Sequence, residues 1–231
     1  ITRLMQEQSS TMLREYPSVE DCARIALNRT KRLWWRRPMD EDYLSLRIGT
    51  GSGPASFKVT TPRVNDLNDP LPLLASPIVE EFQQNPNLPL LINLANTGSV
   101  AISSKTTTLA WAVARRLLLD LMVHHSPLDL NIALIADSHG AEARWDWLKW
   151  LPHTGALNSD VKPRRLNFTD SQIDVYLKWL VDEYSSRSRQ DSSFNSTGKH
   201  KSSRASLVVL FDDTGPARQS PQVAHIAAYG Y

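Results

Sequence analysis

Leu130-Asn131-Ile132-Ala133-Leu134-Ile135-Ala136-Asp137 and Ser206-Leu207-Val208-Val209-Leu210-Phe211-Asp212-Asp213 decide how this chain folds. Each is a short, almost unbroken apolar run that ends in a carboxylate. A strand that alternates apolar and polar residues lies half in water, whereas a continuous apolar strand is buried on both faces, as in a parallel sheet covered by helices. Helical patterns surround these runs. From Lys105 to Val123, Leu109, Val113, Leu117 and Leu121 form one stripe, with Ala110, Ala114, Leu118 and Met122 beside it. Ala141 to Leu151 reads as a tryptophan-rich helix stopped at Pro152, and Ser171 to Tyr184 as a helix with Ile173, Leu177 and Leu180 inward. Shorter strands are expected at 90–94, 98–102 and 165–168. Strands alternating with helices place the chain in the α/β class, with a mostly parallel sheet and helices on both faces.

Toward the N-terminus the pattern changes. Residues 43–60 read as a β-hairpin, with Tyr43, Leu46 and Ile48 leading into Gly49-Thr50-Gly51-Ser52-Gly53-Pro54, and Phe57 and Val59 following. No helix follows those glycines to aim amide groups at an anion, which argues against a phosphate loop there. Residues 62–89 are rich in proline and asparagine and read as loop, with a short helix around Pro77 to Gln84. Residues 1–38 read as polar helix interrupted at Tyr16-Pro17-Ser18. Ser18 and Asp21 form a capping arrangement, an apolar stripe runs from Ala23 through Leu27 to Trp34, and the helix is expected to stop before Pro38. The domain reading is a helical linker at 1–40, made basic by Arg14, Arg24, Arg29, Lys31, Arg32, Arg36 and Arg37, and one α/β domain at 41–231. Residues 185–205 are serine-rich and nearly free of aliphatic side chains, so they read as a flexible surface loop.

The 231 residues are 41% hydrophobic and 22% charged, an ordinary globular composition. The formal charge of +2 gives no electrostatic footprint for nucleic acid. Cys22 is the single cysteine, so no internal disulfide forms. No apolar run reaches the roughly 18 residues that span a bilayer, so the segment itself is expected to be soluble.

A phosphate loop joins a buried strand to a helix through a glycine-rich turn, with a lysine for the terminal phosphates and a Ser/Thr for Mg²⁺. Strand 98–102, a short turn and the helix opening at Lys105-Thr106-Thr107-Thr108 supply that context. The glycines do not match. Ser99 and Ser104 stand where glycines are needed, and Gly98 is one place off. Ser103 to Thr106 therefore reads as the relic of a phosphate loop, retaining at most a weak anion site at a helix N-terminus. The run 207–213 resembles a Walker B strand, in which Asp212 orders Mg²⁺ and Asp213 assists. Asp137 ends the neighbouring strand, so Lys105, Asp137 and Asp212 are expected to face one crevice beyond the carboxyl ends of the strands. The candidate site is Ser104, Lys105, Thr106, Asp137, Asp212 and Asp213, a degenerate site for ATP and Mg²⁺ with no catalytic residue assigned. Trp145, Trp147 and Trp150 are read first as core and second as a partner surface. His124, His125 and His153 do not form a metal pattern. Arg144, Arg164 and Arg165 are candidates for contacts between subunits.

Leu33-Trp34-Trp35-Arg36-Arg37-Pro38 followed by Asp42-Tyr43-Leu44-Ser45-Leu46-Arg47-Ile48-Gly49 resembles the segment after the transmembrane helices in EccC/EssC-type, FtsK/SpoIIIE-like ATPases of type VII (ESX) secretion. His125-Ser126-Pro127-Leu128-Asp129-Leu130 and Trp145-Asp146-Trp147-Leu148-Lys149-Trp150-Leu151-Pro152-His153 resemble that family's first ATPase-like domain. The resemblance covers roughly 16–215. It implies a degenerate P-loop NTPase-like fold in a membrane-anchored motor at the cytoplasmic face of the cell membrane. The module would couple or scaffold between the membrane and later ATPase domains of the same chain. It also implies homo-oligomerisation, other secretion-complex subunits as partners, and a membrane reached through flanking segments. The competing readings are an active FtsK-type translocase module and a protein-binding adaptor domain.

Overall fold

A computed structural model describes residues 1–59, 71–155, 164–194 and 205–212, together with 221, 223 and 224. The chain divides into two compact units. The first comprises 1–33, 44–94 and 102–123, and the second 34–43, 95–101 and 124–231. In chain order the helices are α1 (Thr2–Glu15), α2 (Val19–Leu27), α3 (Leu71–Glu81), α4 (Leu94–Thr97), α5 (Thr107–His124), α6 (Ala141–Trp145) and α7 (Asp170–Phe194). The strands are β1 (Ser45–Pro54), β2 (Gln84–Asn93), β3 (Leu130–Ala136), β4 (Leu166–Asn167) and β5 (Ser206–Asp212). Among the described residues no helix is long and apolar enough to cross a membrane.

In the second unit β3 is the middle strand of a three-stranded sheet of order β4-β3-β5, parallel throughout. Leu130, Ile132, Ala133, Leu134, Ile135 and Ala136 are all fully buried, as the continuous apolar run predicts. One face of the sheet is closed by α7. Ile173, Tyr176, Leu177 and Leu180 pack on Ala133 and Ile135 of β3, with Leu207, Val209 and Phe211 of β5 alongside. Each large aliphatic side chain so buried contributes roughly 1.5–3 kcal/mol relative to exposure. The α/β class therefore holds, but among the described residues the parallel sheet has three strands and a separate antiparallel pair accompanies it.

That pair forms in the first unit and corrects the hairpin reading. Residues 45–54 do not turn back. They run as one strand straight through the glycines and pair with the distant strand β2, from Ser45 opposite Asn93 to Pro54 opposite Gln84. The two register shifts fall between Arg47 and Gly49 and between Gly51 and Gly53. A Cβ on Gly51 would come within 3.0 Å of Leu90 Cδ1, and one on Gly53 within 3.2 Å of Leu88 Cδ1. Gly51 and Gly53 thus make room for the partner strand's leucines, and none of the glycines supplies a turn. The short helix expected from Pro77 to Gln84 is α3, which begins six residues earlier and ends at Glu81; much of the expected loop after it is strand β2. Residues 60–70 of that expected loop lie outside the described residues.

Helix α1 is tied to the pair through Asn85. Its amide donates to Met5 O at 2.9 Å and Gln8 Oε1 at 3.1 Å, and its Oδ1 accepts from Ser9 Oγ at 3.2 Å. The expected cap at Ser18 is present as a reciprocal box with Asp21. Helix α2 nevertheless ends at Leu27, well short of Pro38. Arg29 takes φ 46°, and the N–H groups of Arg29 and Thr30 return to Ala26 O and Ile25 O, a Schellman closure. Arginine in place of glycine at that position hides the stop from sequence inspection. Cys22 and Ile25 pack beside Val123. Burial, with Asp120 nearby, pushes the Cys22 thiol up to about 11, so it stays protonated and inert at neutral pH.

Three further expectations are corrected. Residues 98–102 form no strand: Gly98 takes φ 70°, and Val100 is 40% exposed. The tryptophan-rich helix tightens after Trp145 into a 3₁₀ helix, Asp146–Trp150, followed by another at Pro152–Thr154. Residues 185–194 of the expected flexible loop belong to α7, whose apolar first half anchors the helix while serine costs only a few tenths of a kcal/mol per residue to include. Residues 195–204 lie outside the described residues.

Candidate functional site

The parallel sheet carries its acidic residues to one edge. Ala136 is the register partner of Asp212, so Asp137 follows β3 one place beyond it. From Asp137 the chain turns sharply into α6 through Gly140, which takes φ 74°. A Cβ there would meet nothing within 4 Å, so the constraint is the backbone conformation alone. The turn is closed by the Ala141 N–H on Ser138 O at 2.9 Å and the Arg144 N–H on Gly140 O at 3.1 Å. It delivers Arg144 and Trp145 to the end of β5.

Asp212 is buried there, and its Oδ2 is doubly engaged. Arg144 Nη1 donates at 2.7 Å, and Trp145 Nε1 at 2.5 Å. Arg144 Nη1 also reaches Ser138 Oγ at 3.2 Å. The Arg144 side chain is only 12% exposed. This corrects its reading as a subunit-contact residue, since the guanidinium is spent inside its own unit. Arg165 also turns inward, donating to His153 O at 3.3 Å, and burial lowers its pKa. Sequence reasoning missed both partners of Asp212. The available signal was a cationic residue one helical turn beyond the glycine that follows an acid-terminated strand.

Mg²⁺, which the resemblance implies, is a poor fit to this carboxylate. A metal ligand needs a free lone pair facing the ion and no cation beside it, whereas Oδ2 here is held by a guanidinium that cannot deprotonate and whose charge repels a second cation. Ser104, Lys105 and Thr106 fall in the first unit and are exposed. Ser104 Oγ accepts from the Thr106 N–H at 3.4 Å, and α5 starts only at Thr107. No strand leads into that turn, so the framework of a phosphate cradle is missing. The structure thus brings together Asp212, Arg144 and Trp145, with Asp137 on the same sheet edge. Asp213 lies outside the described residues.

The core reading holds for Trp145 but not for Trp150. Trp145 is fully buried, whereas Trp150 is 67% exposed, with Lys149 Nζ 5.3 Å from its ring centroid. The histidines are interior groups. His153 Nε2 lies 2.8 Å from His125 O, the Trp34 ring meets its edge at 6.3 Å, and its Nδ1 has no hydrogen-bond partner among the described residues. Burial lowers its pKa, partly offset by the bond to His125. The unfolded chain therefore takes up a proton at this residue before the folded one does. The stability it preserves is complete above the unfolded value of about 6.5 and is lost as pH falls from there toward the folded pKa. Urea unfolding should show the chain losing stability between neutral and mildly acidic pH. His153→Gln, which keeps a donor for His125, should show a smaller loss; an unchanged pH slope would refute the assignment.

No family model matches the chain. Individual curated proteins do. The ESX-3 secretion system protein EccC3 of Mycobacterium tuberculosis is 30% identical over 181 residues, which is 74% of this chain and 13% of that protein. The ESX secretion system protein EccC of Thermomonospora curvata is 29% identical over 126 residues, 53% of this chain and 9% of that protein. The ESX secretion system protein YukB of Bacillus subtilis is 26% identical over 153 residues, 64% of this chain and 10% of that protein. The chain is a homologue of the EccC-type proteins of ESX (type VII) secretion systems and spans about a tenth of their length.

Proposed function

We propose that this chain is a non-catalytic ATPase-like module of a membrane-anchored type VII secretion motor, coupling or scaffolding between the membrane and the motor domains during protein export. The observation that carries the reading is the pairing of Asp212 with Arg144 and Trp145. In an active sheet the acidic residue ending this strand would order Mg²⁺, whereas here it holds an internal cation instead. The turn at Ser104-Lys105-Thr106 supports the same reading, because serines replace the glycines of a phosphate cradle and no strand aims the loop. The relation to EccC-type proteins supplies the secretion setting. By the same resemblance, residues 1–40 are the juxtamembrane linker, and the partners are other secretion subunits and later ATPase domains of the full protein.

Isothermal titration with Mg-ATP tests the non-catalytic part. The expected result is no saturable heat at millimolar nucleotide, and no difference between the wild-type chain and Lys105→Ala. Micromolar binding abolished by Lys105→Ala would overturn the reading and favour an active translocase module.

A further inference from the structure

We propose that Arg144 is a resident counter-cation, an inhibitory contact built into the carboxyl edge of the parallel sheet that shuts Asp212 to divalent metal. The inference deepens the non-catalytic reading and rests on it, but it concerns metal in the absence of nucleotide and can fail separately. Asp212 ends β5 beside Asp137, and two carboxylates at the edge of a parallel sheet are of the chemical class that takes Mg²⁺ or Mn²⁺. Arg144 pre-empts them. Its Nη1 sits 2.7 Å from Asp212 Oδ2, its side chain is largely buried, and Ser138 Oγ steadies the same nitrogen at 3.2 Å. The indole N–H of Trp145 fills the remaining approach to that oxygen at 2.5 Å. A divalent ion brought to Asp212 would meet a fixed positive charge at ion-pair distance, in surroundings that screen it poorly. Arginine cannot yield by losing its proton, as a lysine in such a place could. The guanidinium also balances the charge of Asp212, so of the two carboxylates only Asp137 is left without that counter-charge. The short turn through Gly140 makes the contact local, since it carries Arg144 back to the strand ends within one turn of α6.

The test is a Mn²⁺ titration of the 231-residue chain without nucleotide, read by calorimetry and by the electron paramagnetic resonance signal of free Mn²⁺. Arg144→Gln removes the charge and should gain Mn²⁺ affinity by at least about tenfold over wild type. Arg144→Lys keeps a charge, but one that can be lost with a proton, and should gain less Mn²⁺ affinity than Arg144→Gln. Adding Asp212→Asn to Arg144→Gln should abolish the gain. In the otherwise wild-type chain, Asp212→Asn should leave Mn²⁺ affinity unchanged, because that carboxylate is already engaged; this arm stands even if Arg144→Gln does not fold. The inference is overturned if Asp212→Asn alone weakens Mn²⁺ binding, or if folded Arg144→Gln shows no gain that depends on Asp212.

Discussion

Trp145→Ala should lower the unfolding free energy by about 3–5 kcal/mol, enough to unfold much of the population of a marginally stable domain. Two effects add. The side chain is fully buried and is the largest of the completely buried side chains, so truncation leaves a cavity that neighbouring 3₁₀ turns cannot close without breaking their own hydrogen bonds. Its Nε1 also donates to Asp212 Oδ2 at 2.5 Å, and removing a donor from a buried carboxylate adds a desolvation cost. Trp145→Phe separates the two. It keeps most of the apolar volume and loses the donor, so it should cost about 1–3 kcal/mol. Asp212→Asn should weaken the effect of Trp145→Phe in a double-mutant cycle, because the hydrogen bond then lacks its charged acceptor. Chemical denaturation of the wild type, Trp145→Ala and the three variants of the cycle settles the matter. A Trp145→Ala chain within about 1 kcal/mol of wild type would mean that the indole is not core.

How much of this was legible beforehand depends on the kind of signal. The strands at 130–136 and 206–211 were legible because a continuous apolar run marks a strand of a parallel sheet, although only the first is fully buried and 206–211 are half-buried; the inward face of α7 was legible because Ile173, Leu177 and Leu180 keep helical spacing. The cap at Ser18 was legible because its chemistry is local. Features that depend on distant partners were not. The glycines of β1 look like a turn until Leu88 and Leu90 are known to lie across from them. The stop of α2 depends on Arg29 adopting a left-handed conformation that arginine rarely takes. At the candidate site, the acidic ends of β3 and β5 could be placed on one edge from topology alone. The occupant of Asp212 could not, because it depends on the angle at which one short helix leaves a turn. That difference separates an acidic edge with two open carboxylates from one in which Asp212 already holds a cation.

Asp42→Ala should cost roughly 2–3 kcal/mol, although the residue sits on a loop and its side chain is 30% exposed. The reason lies in its partner. Trp34-Trp35-Arg36-Arg37 reads as part of a basic, solvent-facing segment, yet Arg36 is 1% exposed. The backbone draws it in: the Arg36 N–H donates to His124 O at 3.0 Å, and the residue forms a parallel bridge with His125. The loop is held on both sides by Arg37 Nη1 against Asp129 Oδ2 at 3.0 Å and by the Tyr43 hydroxyl donating to Asp129 O at 2.8 Å. Arg36 therefore cannot easily swing out to water when it loses its counter-ion. The carboxylate of Asp42 lies 2.7 Å from Arg36 Nε, and without it a guanidinium remains buried with less compensating charge. Breaking a buried pair from one side costs about 3–5 kcal/mol, and the partial exposure of Asp42 brings the figure to the lower end or below. Arg37→Ala makes the contrast, because that side chain is 58% exposed and its pair with Asp129 should be worth under about 1 kcal/mol. Urea melts of the two variants should differ accordingly. If Asp42→Ala and Arg37→Ala proved equally mild, Arg36 would have to be solvated, and the loop from Trp34 to Tyr43 would not be anchored as its hydrogen bonds require.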